Sequence, residues 1–407
     1  MSKNSVKKVY VGMSGGVDSS LSAALLVEAG YDVMGVYMKN WSRDLPGMQC
    51  PWAEDLADAK RVAVQLGIPF RVFDFEREYK HLVVDYMIAE YARGRTPNPD
   101  IMCNQEVKFG LFLRAALAEG ADFIATGHYA RTGTGNSGAP VSNAVDFDVE
   151  KSFSAFFESP RVPLMAFEKG NQKDFSTKSK HPTTSDDGVS SPTYLLRAKD
   201  TNKDQTYFLY RVTAAALART IFPIGGLTKP EVRAEAKRRG LATAGRRDSQ
   251  GICFVGNVGI RGFLGQYVEA VAGDIVERET RRVVGRHDGA IFYTFGQRHN
   301  LGVGGGLPYY VVGKDMEKNE VYVSTDLNNR EFWRAELRLS DRHWINDPPV
   351  AGRRYQVRLR HRAPLVDCEF DGETIKLAAP ERAVAAGQSA VIYDGEVVLG
   401  GGVVLNS

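Results

Sequence analysis

The chain has 407 residues, enough for two or three domains at about 150 residues each. Its 43% hydrophobic and 25% charged residues are those of an ordinary soluble globular protein. Four cysteines exclude a disulfide-dense secreted scaffold, no apolar run reaches the length of a membrane span, and the basic N-terminus carries too short an apolar stretch for a signal peptide. The reading is a cytoplasmic protein with no membrane role, in which a cysteine is either inert core or reactive; a net charge of +3 does not by itself argue for nucleic acid.

In chain order, Val6–Met13 reads as a strand, Asp18–Ala29 as a helix stopped by Gly30, Tyr31–Met38 as a strand, and Ala53–Leu66 as a helix stopped by Gly67. Phe70–Phe75 follows as a strand, Tyr79–Arg93 and Val107–Glu119 as helices, and Asp122–Thr126 as a strand. Such alternation predicts a parallel sheet covered on both faces, with ligands at the carboxyl ends of its strands. The loops after Met13, Met38 and Thr126 should therefore face one crevice. The run from 133 to about 192 is rich in Gly, Ser, Thr, Asn, Lys and Asp without a sustained period, and reads as a long, partly disordered surface insertion without chemistry. Thr228 and Glu231 form a capping-box pattern ahead of a helix stopped by Gly240. From about Glu331 the chain is short strands. Tyr355, Val357 and Leu359 alternate with Gln356, Arg358 and Arg360, then Val366, Cys368 and Phe370 alternate again, and Asp394-Gly395 joins a hairpin. This predicts a small β-barrel. The fold class is α/β, with an N-terminal parallel-sheet domain over 1–217, a small central α+β domain over 218–329 and a C-terminal β-barrel over 330–407.

The first chemical signal is Ser14-Gly15-Gly16-Val17-Asp18-Ser19-Ser20, between the first strand and first helix. Glycines let the backbone approach an anion, and the helix N-terminus aims unpaired N–H groups at it. No lysine follows the glycines, so this is not a Walker A loop. Asp18 repels a bare phosphate, and a divalent cation bridging Asp18 to the phosphates would resolve that repulsion. The motif resembles that of the PP-loop ATP pyrophosphatases (adenine nucleotide α-hydrolase-like), which implies cleavage of ATP between its α and β phosphates and adenylation of a substrate oxygen.

Among the cysteines, Cys103 lies in a Pro-stiffened polar loop, Thr96-Pro97-Asn98-Pro99-Asp100-Ile101-Met102-Cys103, just ahead of the helix predicted at Val107. A helix N-terminus lowers a thiol pKa, and Asp100 is close enough in sequence to accept a proton. Cys253 sits among apolar neighbours, where a core role and a reactive one are equally consistent with the local sequence. Cys368 reads as structural and Cys50 as incidental. There is no C-x-x-C or His/Cys cluster at ligand spacing, so neither zinc nor an iron–sulfur cluster is expected.

Together these segments closely resemble the tRNA-specific 2-thiouridylases, which place sulfur on the wobble uridine of tRNA. Gly12–Ser20, Thr96–Asn104, Thr126–Tyr129, Lys203–Leu209, Gly251–Val255, Tyr293–Arg298 with Gly302–Gly305, and Gly387–Val391 occur in family order along nearly the whole chain. The resemblance implies that Gly12, Met13, Ser14, Gly15, Gly16, Val17, Asp18 and Ser19, with Met38 and Gly127, hold ATP, with Mg²⁺ at Asp18. It implies that Asn98, Pro99 and Asp100 contact the flipped target base, that Cys103 is the nucleophile and that Cys253 carries the persulfide sulfur, the two cysteines joining as a disulfide at turnover. His128, Lys203, Asp204, Gln205, Arg360, His361 and Gln388 match tRNA-contacting positions. His361 replaces a usual Tyr, Asn300 replaces an expected Gly, and the 133–192 insertion has no counterpart in this match. The implied partners are tRNAs for Lys, Glu and Gln and a persulfide donor, either a cysteine desulfurase or a relay protein, acting on a monomer. Arg353, Arg354, Arg358, Arg360 and Arg362 cluster around one strand, where the last three share a face by period two and suit phosphates. Two rival readings are another PP-loop adenylating enzyme, which needs no cysteine pair, and a non-catalytic RNA-binding protein with a structural ATP.

Overall fold

The structure is a computed structural model and describes residues 6–44, 50–134, 192–246, 259–304, 306–326, 328 and 332–405. Cys253 and most of the expected insertion lie outside the described residues.

The first unit is built on a parallel sheet. Its early elements are β1 (Lys8–Gly12), α1 (Val17–Glu28), β2 (Asp32–Lys39), α2 (Trp52–Leu66) and β3 (Phe70–Asp74). Two helical runs follow, α3 (76–92) and α4 (99–118), each containing a π-helical stretch, Lys80–Asp85 and Cys103–Phe112. Then come β4 (Phe123–Thr126), β5 (Arg131–Thr134), β6 (Thr193–Leu196), β7 (Thr220–Ile221) and α5 (Lys229–Arg238). The sheet order is β3-β2-β1-β4-β7. Val9, Tyr10 and Val11 are all buried, the continuous apolar run of a strand covered on both faces. Because β1, β2 and β4 are parallel neighbours, the loops that follow them share one edge, as expected.

Three expectations change. The helix expected from Val107 begins at Pro99: a proline at the first helical position loses no hydrogen bond, and the Asn98 side chain accepts from the Asp100 N–H as its cap. Cys103 therefore lies one turn inside a helical run, at the start of its π-helical stretch, and not ahead of it. The insertion interrupts an antiparallel pair, β5–β6, so residues 133 and 134 are strand. Finally, β7 pairs with β4 and α5 packs Val232 and Ala236 onto Val17, Leu21 and Leu25 of α1, so the first unit runs past residue 217.

The central unit has strands β8 (Gly273–Glu277), β9 (Val283–His287), β10 (Tyr310–Asp315) and β11 (Glu320–Ser324) in the order β10-β11-β8-β9. Asn300 has φ 60°, the left-handed region that suits a glycine and that Asn tolerates better than most residues. The last strands are β12 (Trp333–Trp344), β13 (Arg354–Arg358), β14 (Val366–Phe370), β15 (Thr374–Arg382), β16 (Ser389–Asp394) and β17 (Val397–Val404). They close into a barrel, β12-β15-β14-β13-β16-β17, because β17 pairs back to β12. Leu337, Val357, Phe370, Ile375 and Ile392 fill it. Cys368 lies in the same core, where burial pushes its thiol up to about 12, the inert role expected of it.

The barrel is docked on the first unit. The β5–β6 pair extends its sheet through β17, Tyr207 donates to the Ser389 carbonyl at 2.9 Å, and Arg358 reaches Asp204 at 2.9 Å. Among the described residues, no helix is long and apolar enough to cross a membrane.

Candidate active site

The loop between β1 and α1 is held open from within. Ser19 Oγ accepts from the Ser14 N–H at 3.1 Å and donates to the Gly16 carbonyl, and Ser20 Oγ donates to the same carbonyl at 2.8 Å. Gly15 has φ +75°, and a Cβ there would lie 2.4 Å from the Asp55 carbonyl oxygen. Gly127, on the loop after β4, sits against the start of α1, where a Cβ would lie 2.6 Å from the Ser19 nitrogen. A Cβ on Gly12 would lie 3.0 Å from the Met38 side chain. The structure thus brings Gly12, Met13–Ser19, Met38 and Gly127 together at the carboxyl edge of the sheet.

Asp18 is handled differently from the expectation. Its carboxylate accepts from the Lys229 ammonium at 2.7 and 2.9 Å and from the Tyr129 hydroxyl at 2.9 Å. The negative charge at the mouth of the loop is balanced by a lysine from α5, so charge balance alone calls for no metal there. Mg²⁺ is commonly held by one carboxylate plus substrate phosphates; Asp18 fits that role only by releasing Lys229. Lys229 was missed in the sequence. The one signal was its place at the first position of a helix, where a cation opposes the helix dipole and needs a tertiary partner. On the other side of the loop, Arg246 donates to the Gly15 carbonyl and pairs with Asp55 and Asp58 of α2.

The helix that carries the thiol, α4, comes near the start of this loop, where a Cβ on Gly12 would lie 3.6 Å from the Phe112 ring. Cys103 is 5% exposed, in a core cluster with Ile101, Val107 and Phe109, so its polar sequence neighbours did not keep it at the surface. Asp100 precedes it by three residues, on the same helix face. Burial pushes the Asp100 carboxyl above the usual carboxylate range and Lys108 opposes this. Lys108 Nζ also lies 3.4 Å from His128 Nε2, while His128 Nδ1 is 2.8 Å from Thr126 Oγ1. Burial, reinforced by Lys108, holds His128 well below its ordinary pKa and therefore neutral. Lys108 is the second residue missed from sequence; it contacts the loop that touches α1 and its charge acts on the acid of the thiol helix.

The expected tRNA contacts divide. Asp204 is 1% exposed: it accepts from the N–H groups of Ala198 and Thr206 and pairs with Arg358, itself 5% exposed. Neither faces a polyanion. The expected arginine face fails because β13 ends at Arg358 and the chain then turns, Arg362 having φ 63°; Arg360 and Arg362 are exposed and Arg358 is not. His128 is buried between Phe109 and Phe222. Gln205 Oε1 accepts from the Tyr129 N–H, and Gln388 donates its amide to the Thr96 carbonyl at 2.7 Å. His361 lies against Phe208, ring centroids 4.4 Å apart, and burial pushes it down to about 4. Lys203 is half-buried and Arg360 exposed.

A parallel sheet with a serine–glycine loop feeding α1, and two β modules after it, define a nucleotide-binding α/β protein of the PP-loop class. The comparisons agree. Residues 7–162 and 178–257 match the tRNA methyl transferase HUP domain, 261–325 the tRNA methyl transferase PRC-barrel domain and 334–404 the aminomethyltransferase beta-barrel domain. The first of these matches in two parts, and the residues between them, 163–177, fall within the expected insertion. The chain is 41% identical to a tRNA-specific 2-thiouridylase of Geobacillus kaustophilus over 98% of this chain and 94% of the relative. It is 39% identical to that of Enterococcus faecalis over 99% and 96%, and 40% identical to that of Pseudomonas syringae over 99% and 95%. The chain belongs to the tRNA-specific 2-thiouridylase family, whose members are sulfurtransferase enzymes.

Proposed function

We propose that the protein thiolates the wobble uridine of tRNA at C2 at the expense of ATP. The uridine C2 oxygen attacks the α-phosphorus and expels pyrophosphate, turning oxide into an AMP leaving group. Sulfur then arrives from a persulfide on Cys253. Either its terminal sulfur displaces AMP and Cys103 next attacks the Cys253 sulfur, or Cys103 attacks that sulfur first and the freed hydrosulfide displaces AMP. Both routes consume one persulfide, release AMP and leave a Cys103–Cys253 disulfide, which a thiol reductant reopens with two electrons.

One observation carries this reading. The short loop 126–128 touches the start of α1 through Gly127 and, through His128, reaches Lys108, whose charge opposes the raised pKa of Asp100 on the thiol helix. That chain of contacts supports phosphate handling and thiol chemistry at one site. Asp100, with its raised pKa, is the proton acceptor for the uridine or for Cys103. Asn98 and Pro99 line the approach of a base extruded from its stack. Mg²⁺ would supply charge neutralisation at the departing pyrophosphate, held by Asp18 in exchange for Lys229. Lys203 and Arg360, the cations among the expected contacts that reach the surface, meet the tRNA backbone, and the chain acts as a cytoplasmic monomer on tRNAs for Lys, Glu and Gln.

The test incubates the protein with unmodified tRNA, Mg-ATP and a persulfide donor, and reads 2-thiouridine by nucleoside mass analysis alongside AMP release. Cys103→Ser and Cys253→Ser should each abolish thiolation while ATP binding persists. Full thiolation by both variants refutes the mechanism.

A further inference from the structure

The loop that leads into the thiol helix is shaped by the barrel. Thr96 has both backbone groups satisfied from outside its own unit: its N–H donates to the Ala386 carbonyl at 3.0 Å, and its carbonyl accepts from Gln388 Nε2 at 2.7 Å. Between those two residues Gly387 comes so close that a Cβ would lie 2.7 Å from the Thr96 nitrogen and 2.9 Å from the Arg95 side chain, and its φ is +88°. Gly387 is therefore fixed by two demands at once, a left-handed backbone and a backbone-to-backbone approach. The barrel end is itself anchored. The Gly387 N–H donates to the Val404 carbonyl, and the Val404 N–H to the Gln388 carbonyl at 2.8 Å. Ala383, at the start of the same connection, holds φ 56°, a conformation an alanine adopts only under tertiary constraint.

From Thr96 the path to the thiol has little slack. Pro97 and Pro99 fix their own φ and hold Thr96 and Asn98 extended. Asn98 caps the helix through the Asp100 N–H at 3.1 Å, and Asp100 and Cys103 then follow on consecutive turns of one face. A shift of Thr96 cannot be absorbed by a flexible residue before the helix begins, so it reappears as a shift of the carboxyl and the thiol.

We propose that the barrel connection Ala386–Gly387–Gln388 is a positioning element for Cys103, setting where the Asn98-capped helix starts and hence where the thiol and the Asp100 carboxyl point. The role given to Cys103 rests on the function proposed above; the positioning itself does not. Through Thr96, Gln388 acts on the reaction in addition to the tRNA contact that the family resemblance implies for it.

The test uses the full-length protein with Gln388→Ala and with Gln388→Glu, which keeps the shape of the side chain and removes its donor. Three quantities are read: the dissociation constant for tRNA, the turnover number at saturating tRNA and ATP, and the rate of iodoacetamide alkylation at Cys103 without tRNA, resolved by peptide mass spectrometry. Cys368, in the barrel core, is the internal control for general loosening. Both variants should lose about tenfold in turnover at saturating tRNA, beyond any change in tRNA affinity, and change the Cys103 alkylation rate at least about threefold with Cys368 unchanged. Gly387→Ala should do the same more severely. An unchanged Cys103 rate in both Gln388 variants overturns the inference, as does a tenfold loss of tRNA affinity with turnover intact. If wild-type protein makes no 2-thiouridine yet the Cys103 rate responds, positioning stands and the thiolation reading falls.

Discussion

Lys229→Met removes one positive charge from the phosphate loop while keeping most of the side-chain stem. In the structure that ammonium lies 2.7 and 2.9 Å from the two Asp18 oxygens, so its loss leaves a carboxylate facing the triphosphate. Two unit charges about 5 Å apart at an effective dielectric of about 20 interact by roughly 3 kcal/mol. The Asp18 side chain is 31% exposed, and solvent screening brings this down to about 1–2 kcal/mol. That corresponds to about five- to thirty-fold weaker ATP binding. Titration calorimetry with a non-cleavable α,β-methylene ATP analogue in the absence of Mg²⁺, so that no cation takes the place of the ammonium, measures it directly. The companion variant Asp18→Asn/Lys229→Met removes both charges and should recover most of the lost affinity, which a merely structural lysine would not predict. If Lys229→Met binds within twofold of wild type, or the double variant is no tighter than the single, the electrostatic reasoning is wrong.

Two further outcomes follow from buried groups. Arg358→Met should cost about 3 kcal/mol of stability, read as a lowered denaturant midpoint, because it strips the main partner from a carboxylate with almost no access to water; Arg197, 3.7 Å from Asp204, keeps the loss from being larger. His361 has a folded pKa of about 4, below its unfolded value near 6.5. The folded state therefore resists protonation, and the stability present above about pH 6.5 is lost as pH falls towards 4. His361→Phe keeps the ring against Phe208 and removes that loss, so melting curves of the two proteins should diverge on acidification, with wild type the lower; parallel curves would show that the ring does not titrate against folding.

The parallel sheet and the phosphate loop were legible because their signals are local. A continuous apolar run, two glycines and a helix start lie within a dozen residues, and the backbone geometry they impose needs no distant partner. The alternation of Tyr355, Val357 and Leu359 marked the barrel core for the same reason, since strand period depends only on sequence spacing. The capping box at Thr228 and Glu231 formed as expected, with the Thr228 N–H 2.6 Å from the Glu231 carboxylate.

What local signals could not supply was the partner of each charge. Arg358 has the same period as Arg360, and nothing nearby in sequence says that one turns inward to Asp204 while the other meets solvent. Asp18 asked for a positive charge, and whether that charge was a metal or Lys229, 211 residues away, depended on how α5 packs on α1. Asp100 and Cys103 were read as a polar loop pair; the core closing over α4 buried Cys103, left Asp100 half-buried and raised its carboxyl. The sequence determined the candidate residues and their spacing, because residue type and short-range spacing are local properties. Only the tertiary structure decided which of them are charged, buried or free to meet a substrate, because electrostatic partners and burial arise from contacts between segments far apart in the chain.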